Sequence, residues 1–385
     1  MDIAPRAVAT IDLDRLARNL ARIRERVGPA VRVLGVVKAD AYGHGMAPIA
    51  RRLVAEGVWG LGVSSPSEGQ YLRGLGLACP IVVLAGARPN EARAVVEERL
   101  TPMIDDASDA RALAEAANAL GRTVRVHVKV DTGMGRLGIA PDELVPFLRF
   151  IRSLGGLEVE GLMSHLSVAE DPSLDARRFT ARQLALFDEK IDEATHAGFR
   201  VSMTHIANSG GTLHHAVGRH NLVRPGLALY GVDPDPAAAS ALEPVMEVRG
   251  TVLKVREVPT GTPVSYRRLF VTERPTRIAV LAFGYADGVP VALSNRGQVA
   301  IGGKRHAIRG AVTMDMTLVD VTDSPEVRAG DEAVLFGHGA GSPAVAEVAS
   351  LAGTIPYEIL CSVGPRVKRV VVASDTPRRE AAHGR

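Results

Sequence analysis

The sequence predicts a (β/α)8 barrel of the TIM type followed by a mostly β domain, and three observations carry that prediction. Over the first 231 residues, eight short β-rich runs alternate with longer amphipathic stretches. Those runs are apolar almost throughout instead of alternating, which is the pattern of parallel strands covered by helices. After the Pro/Ala/Ser-rich stretch "YGVDPDPAAAS" the texture changes to closely spaced β runs separated by Gly, Pro and Asp turns. At 385 residues the chain is too long for a single core, which stops growing at roughly 250–300 residues, so two domains are expected, residues 1–238 and 239–385.

In chain order the eight runs are "VRVLGVVK", "VWGLGVSS", "PIVVLAG", "LTPMID", "TVRVHVKVD", "LEVEGLMSH", "MTHIANS" and "LVRPGLALYG". Helical candidates lie between them at 44–56, 66–75, 108–120, 141–154 and 174–198, many opened by Ser, Asp or Pro as helix starts require. Eight strand-helix units fit a closed barrel better than an open doubly wound sheet, which usually has fewer strands. No GxGxxG turn follows the first run, so a dinucleotide fold lacks its main support. In the second half "VMEVRGTVLKVREV", "TRIAVLAFG", "QVAIGGKRHAIRG", "TLVDVT" and "DEAVLFG" supply strands, with one clear helical stretch near 342–362. The tail "ASDTPRREAAHGR" lacks apolar periodicity and is expected to fray.

With 46% hydrophobic and 23% charged residues, the composition is that of a globular protein, not of a disordered or membrane chain. A net charge of +3 from interspersed charges gives no footprint for nucleic acid. No apolar run approaches the roughly 18 residues that span a bilayer, and no export signal opens the chain, so a cytoplasmic location is expected. Cys79 and Cys361 sit among apolar neighbours and are expected to be two buried, reduced thiols.

In such a barrel, chemistry sits at the C-terminal ends of the strands, and here those ends are crowded with polar groups. Lys38 ends the first run with Tyr42 just beyond; Lys129, Asp131 and Arg136 end the fifth; His165 ends the sixth; Asn208 and Ser209 follow the seventh; Arg224 lies in the eighth. Lys38 closes a nearly continuous apolar strand, where poor solvation disfavours the ammonium and leaves a nucleophilic amine, although a strand-end lysine can also simply snorkel. Gly43 and Gly45 allow a tight backbone beside it, from which Tyr42 can aim a hydroxyl at an anion. "HIANSGG" offers Ser209 and a helix start predicted over 210–217, and "VRPGLALYG" adds Gly226; loops after the seventh and eighth strands commonly bind phosphate, though Asn and Ser are also ordinary helix caps. "KVDTGMGRLG" lacks GxxxxGK[ST] and is weak as a nucleotide loop, but it brings Lys129 and Arg136 together, two cations that repel unless something anionic lies between them.

Together these segments resemble the alanine racemases, pyridoxal-phosphate (PLP) enzymes with a (β/α)8 barrel followed by a β domain. The resemblance spans nearly the whole chain, on "VVKADAYGHG", "KVDTGMGRLG", "HIANSGG", "VRPGLALYG", "SYRRLF", "GYADG", "MDM" and "PYEIL" in family order. It implies an isomerase that interconverts L- and D-alanine, supplies D-alanine for peptidoglycan, and works as a homodimer with shared active sites. Lys38 would hold PLP and move a proton on one face of the substrate α-carbon, and Tyr266 of the partner subunit would serve the other face. Such a pair is needed because one base can only return a proton to the face it left.

The same resemblance places Arg224 against the PLP pyridine nitrogen, where an arginine discourages protonation and weakens the cofactor as an electron sink. His165 would bridge Arg224 and Tyr266. Asn208 would support that region, and Tyr42, Ser209, Gly226, Leu227 and Tyr357 would surround the phosphate. Arg136 would contact the PLP phenolic oxygen and the substrate carboxylate, and the lysine matching Lys129, carbamylated in some members, would then be the anion that holds it. Met314, near Asp315, would offer its backbone N–H to the substrate, and Tyr285 would narrow the entry. Two features depart from the family pattern: Arg267 and Arg268 follow Tyr266 where glycine is common, and Thr313 replaces the cysteine of "CMD". Barrel-type PLP decarboxylases place an acidic residue where Arg224 stands, and single-barrel PLP proteins lack a second domain. A racemase acting on serine, lysine or a broad set of amino acids would keep every residue named.

Overall fold

A computed structural model describes residues 5–373 apart from 217, 219, 236 and 239. Eight parallel strands form the barrel: β2 (Arg32–Val36), β3 (Gly60–Val63), β4 (Ile81–Val83), β5 (Thr101–Ile104), β6 (Val124–Lys129), β7 (Leu157–Met163), β8 (Met203–His205) and β9 (Leu222–Val223), preceded in the chain by β1 (Ala7–Asp12). Pairing runs β8-β7-β6-β5-β4-β3-β2-β9. The ring closes where Asn221 N–H donates to Thr204 O at 3.2 Å and Arg224 N–H to Ala207 O at 3.0 Å. All eight expected strands are present, and the helices fall close to their expected bounds, at Met46–Ala55, Pro66–Gly74, Ala107–Ala119, Leu144–Leu154 and Leu174–His196. Their starts follow local chemistry: Asp106 and Ser173 accept backbone N–H bonds as caps, and Ser65 with Glu68 forms a capping box. Inside the barrel Leu34, Val82, Met203 and Leu222 pack as an apolar layer of their own.

The second domain contains β10 (Met246–Val258), β11 (Pro263–Val264), β12 (Phe270–Val271), β13 (Thr276–Leu281), β14 (Gln298–Ile301), β15 (Lys304–Ala307), β16 (Thr317–Asp320), β17 (Glu332–Phe336) and β18 (Lys368–Val372). The first strand of the chain belongs here as well. β1 lies between β10, antiparallel, and β18, parallel, so residues 7–12 leave the barrel half in which their sequence position put them. Asp12 then caps helix Leu13–Val27 by accepting from Asp14 and Arg15 N–H, a helix the pattern did not pick out. The single helical stretch expected near 342–362 is two helices, Val345–Ala352 and Pro356–Cys361, broken by left-handed Gly353 (φ 72°) and by Pro356. Helix Ser209–His214 stops before the expected 217, a position outside the described residues, as is the tail from 374. The cysteines are free thiols, but Cys79 is only half-buried and Cys361 is exposed, because its helix ends at the surface. No helix among the described residues is long and apolar enough to cross a membrane.

Candidate active site

Lys38 stands two residues past the end of β2, at the start of a turn with unusual backbone. Ala39, Asp40, Ala41 and Tyr42 all have φ between 51° and 55°, a left-handed turn built without glycine. Each such residue costs about 1–2 kcal/mol, so the surroundings must impose the shape. Ala39 N–H donates to Glu68 Oε1 at 2.8 Å, Met46 N–H to Asp40 Oδ1 at 2.6 Å, and Arg369 Nε, from β18, to Gly43 O at 3.0 Å. His44 Nδ1 lies 2.9 Å from Ala41 O and 3.0 Å from Tyr42 O; burial lowers its pKa to about 4, so the ring is neutral and donates to both. Gly43 ends the turn at φ 77°, with a Cβ excluded by Leu360 O, which would lie 2.4 Å away. Burial first, then the charge of Arg136, lowers the pKa of the Lys38 ammonium, with Glu68 opposing. Burial at the end of the apolar strand thus disfavours the charged form of this amine.

Tyr42 is buried beside Tyr230 and Tyr357, with ring centroids 5.0 and 5.6 Å away. Burial raises the pKa of the Tyr42 hydroxyl and pushes that of Tyr357 up to about 12, so both stay protonated donors. A Cβ on Gly226 would stand 2.4 Å from the Tyr42 hydroxyl, so glycine keeps that space open. Ser209 Oγ accepts from Gly226 N–H at 3.0 Å and Ala228 N–H at 3.2 Å, tying the loops after β8 and β9 together and leaving its own hydrogen to donate. Asn208 caps the Ser209–His214 helix through Gly211 N–H and donates to Leu166 O, so its side chain braces the loop. Leu227 is fully buried.

Lys129, at the end of β6, is buried, and its pKa falls to about 8 through burial and then the charges of Arg224 and Arg136. Asp131 does not pair with either cation by hydrogen bond. Its carboxylate accepts from Gly133, Met134 and Gly135 N–H at 2.9, 2.7 and 2.8 Å and shapes the loop that carries exposed Arg136. Arg224 is buried, without a carboxylate partner, and burial lowers its pKa to about 9, which leaves it charged at neutral pH. It donates to Ser164 O at 2.7 Å, Ile206 O at 3.2 Å, His205 Nδ1 at 2.7 Å and His165 Nδ1 at 3.1 Å. Because a guanidinium only donates, His165 must carry its proton on Nε2. Burial, then Arg224 and the other cations, hold His165 well below the usual histidine range.

The barrel therefore gathers Lys38, Tyr42, Lys129, Arg136, His165, Ser209, Arg224 and Gly226 at one mouth, and the second domain adds Tyr357. Tyr266 is not part of that cluster within one chain: it is 72% exposed, on a 3-10 turn flanked by left-handed Ser265, Arg267 and Arg268. Ser265 Oγ fixes the turn by donating to Ala311 O at 2.7 Å. Tyr285 and Met314 are also exposed, on segments joined by Tyr285 N–H to Thr313 O at 2.9 Å and Ala286 N–H to Met314 O at 3.1 Å, and Asp315 pairs with Arg366 at 2.8 Å. Thr313 closes its own turn through Met316, so the departure from cysteine is locally satisfied. Pattern reasoning passed over His205, His127, Glu160 and Glu68; the available signals were a histidine in each of the strand runs "VRVHVK" and "MTHIANS".

The residues present fit PLP on their own chemistry. An amine whose charged form is disfavoured by burial lies beside hydroxyl donors and a glycine-lined space for a phosphate, inside a cationic neighbourhood without a carboxylate on Arg224. Comparison with known proteins agrees. Residues 11–234 match the model of the alanine racemase N-terminal domain and residues 245–371 that of its C-terminal domain. The alanine racemase of Halothermothrix orenii is 39% identical over 94% of this chain and 95% of its own, and that of Geobacter sulfurreducens 40% identical over 96% and 98%. Among solved structures, the alanine racemase of Streptomyces lavendulae superposes with a TM-score of 0.90 at 35% identity, covering 97% of this chain and 98% of that one. The Bartonella henselae enzyme, solved with covalently bound pyridoxal phosphate, gives 0.86 at 32%, covering 96% and 100%. This chain belongs to the alanine racemase family.

Proposed function

We infer that the protein is a PLP-dependent racemase that interconverts L- and D-alanine by a two-base mechanism. The observation that carries this reading is Lys38: an amine mounted on a strained left-handed turn at the barrel mouth, its pKa lowered by burial and by the charges of Arg136 and Arg224. PLP, when bound, acidifies the α-hydrogen of an amino acid joined to it. Lys38 would hold the cofactor, with Tyr42, Ser209, Gly226, Leu227 and Tyr357 around its phosphate. Arg224, always a donor, would face the pyridine nitrogen and keep it unprotonated. Arg136 would bind the substrate carboxylate, with Met314 N–H, and Lys129, whose pKa of about 8 leaves part of it as free amine near that pH, is suited to take up carbon dioxide and become the anion that steadies Arg136.

Once free, Lys38 exchanges the α-proton on one face. The exposure of Tyr266, Tyr285 and Met314 on the second domain supports a site completed by a second copy, in which Tyr266 of the partner subunit exchanges the proton on the other face. His165, with its proton on Nε2, would connect Arg224 to that tyrosine. Supply of D-alanine for peptidoglycan in the cytoplasm is the role proposed. Incubating the holoenzyme with single-enantiomer amino acids and resolving the products on a chiral column tests the reading: alanine should racemise fastest, and faster turnover of lysine or arginine would replace it with a broad-range racemase.

A further inference from the structure

The polar chain that begins at Arg224 does not stop at the barrel mouth. His205, on β8, turns Nδ1 to Arg224 at 2.7 Å and Nε2 to His127 Nδ1, on β6, at 2.7 Å. His127 Nε2 lies 3.2 Å from Glu160 Oε2, on β7. Both histidines are wholly buried and Glu160 is 9% exposed. Trp59 stacks on the His127 ring, and Arg125 Nη1 approaches Glu160 Oε1 at 3.5 Å. The neighbouring barrel layer of Leu34, Val82, Met203 and Leu222 is filled with apolar side chains, so filling the interior does not require polar groups.

The two ends fix the direction of every bond between them. A guanidinium has donors only, so His205 Nδ1 accepts and its proton sits on Nε2. That N–H must find an acceptor, which makes His127 Nδ1 the acceptor and places the His127 proton on Nε2. An ionised carboxylate has acceptors only, and Glu160 receives it. Inverting either ring would set N–H against N–H or present an N–H to Arg224. A carboxylate placed directly on Arg224 would pair with its charge; two imidazoles give the guanidinium an acceptor while keeping the anion two rings away.

We propose that Glu160 is a positioning residue for racemisation: through His127 and His205 it fixes an unprotonated nitrogen toward Arg224 and so holds the guanidinium in its working place. This rests on the reading that Arg224 faces the cofactor. In the holoenzyme with 15N-labelled histidine, Glu160→Leu should change the ring nitrogen resonances of His127 and His205 and lower kcat for alanine about 10-fold or more, the scale of an outer hydrogen-bond partner, with little change in KM. Glu160→Gln keeps an acceptor oxygen and should retain the tautomers and most of kcat. If the leucine variant does not fold, His127→Phe, which leaves His205 Nε2–H without an acceptor, should give the same shift at His205 and the same loss. Unchanged resonances, unchanged kcat, or equal losses in the Gln and Leu variants would overturn the proposal. Arg224→Gln is the control: if it leaves racemisation intact, the reading of Arg224 itself fails, whereas its collapse beside a fully active Glu160→Leu sinks only the relay.

Discussion

Lys38, Lys129 and Tyr266 show how far one side chain's surroundings decide its chemistry. Borohydride reduction of the holoenzyme should fix the cofactor to Lys38, and Lys38→Ala should lose both that label and racemisation; label on another lysine would refute the assignment. Tyr266 is exposed and packs little in its own chain, so Tyr266→Phe should fold and bind PLP normally. It should still exchange the α-hydrogen of D-alanine with deuterium through Lys38, while L-alanine exchange and net turnover fall ~10²–10⁴-fold, the usual worth of a general base. Lys129 predicts a pH effect of definite sign. Its pKa is about 8 in the folded chain against an ordinary 10.5. Between those values the unfolded chain binds more protons, so this group makes stability rise with pH from about 8 to 10.5, and below 8 its cost is fully present. In carbonate-free buffer Lys129→Met should therefore melt higher than wild type at pH 7, with the gap closing toward pH 10.5; a constant gap would show that Lys129 does not carry the depressed proton affinity.

The left-handed turn Ala39–Tyr42 is the element on which the site depends. The sequence offered glycines at 43 and 45 as the flexible points, and Gly43 is indeed left-handed, yet the four residues before it carry most of the strain. No propensity reveals that, because the turn is held by its own Asp40 and the adjacent His44 together with Glu68 and Arg369, which come from elsewhere in the chain. Asp40→Ala removes the acceptor for Met46 N–H and should cost about 1–3 kcal/mol by denaturant titration, with a fall in kcat as Lys38 is released. Gly226→Ala should weaken PLP affinity, since its Cβ would press on the Tyr42 hydroxyl; unchanged cofactor binding would remove Gly226 from the phosphate site. Strands were legible because burial on both faces leaves continuous apolar runs, and most helices because one buried face and a Ser, Asp or Pro start mark them. Helix Leu13–Val27 was missed although Leu16, Leu20 and Ile23 recur at helical spacing behind the Asp12 cap, and the break at Gly353 because a single glycine weighs little in pattern counting.

The two domains are joined by more than the linker. β1 crosses into the second sheet, Arg369 reaches from β18 to Gly43, and Tyr357 packs on Tyr42. The barrel site thus leans on the second domain of its own chain, while Tyr266, Tyr285 and Met314 present another surface outward. If that surface completes a neighbour's site, a mixed dimer of Lys38→Ala and Tyr266→Phe chains has one doubly defective site and one intact site. Mixing two nearly inactive proteins under subunit exchange should then restore activity. Heterodimers that form but stay inactive would place Tyr266 within its own chain or remove it as the second base.

The eight-stranded barrel and the β character of the second half followed from sequence, because they depend on local apolar periodicity, and Lys38 stood out as a candidate because it sets a charge at the end of an apolar strand. The tertiary structure alone decided the membership of β1, the strained geometry beneath Lys38, and the chain from Arg224 through His205 and His127 to Glu160. Those features arise where residues distant in sequence meet, from 19 positions for Arg224 and His205 to 326 for Arg369 and Gly43, and no local pattern records which buried donor will face which acceptor.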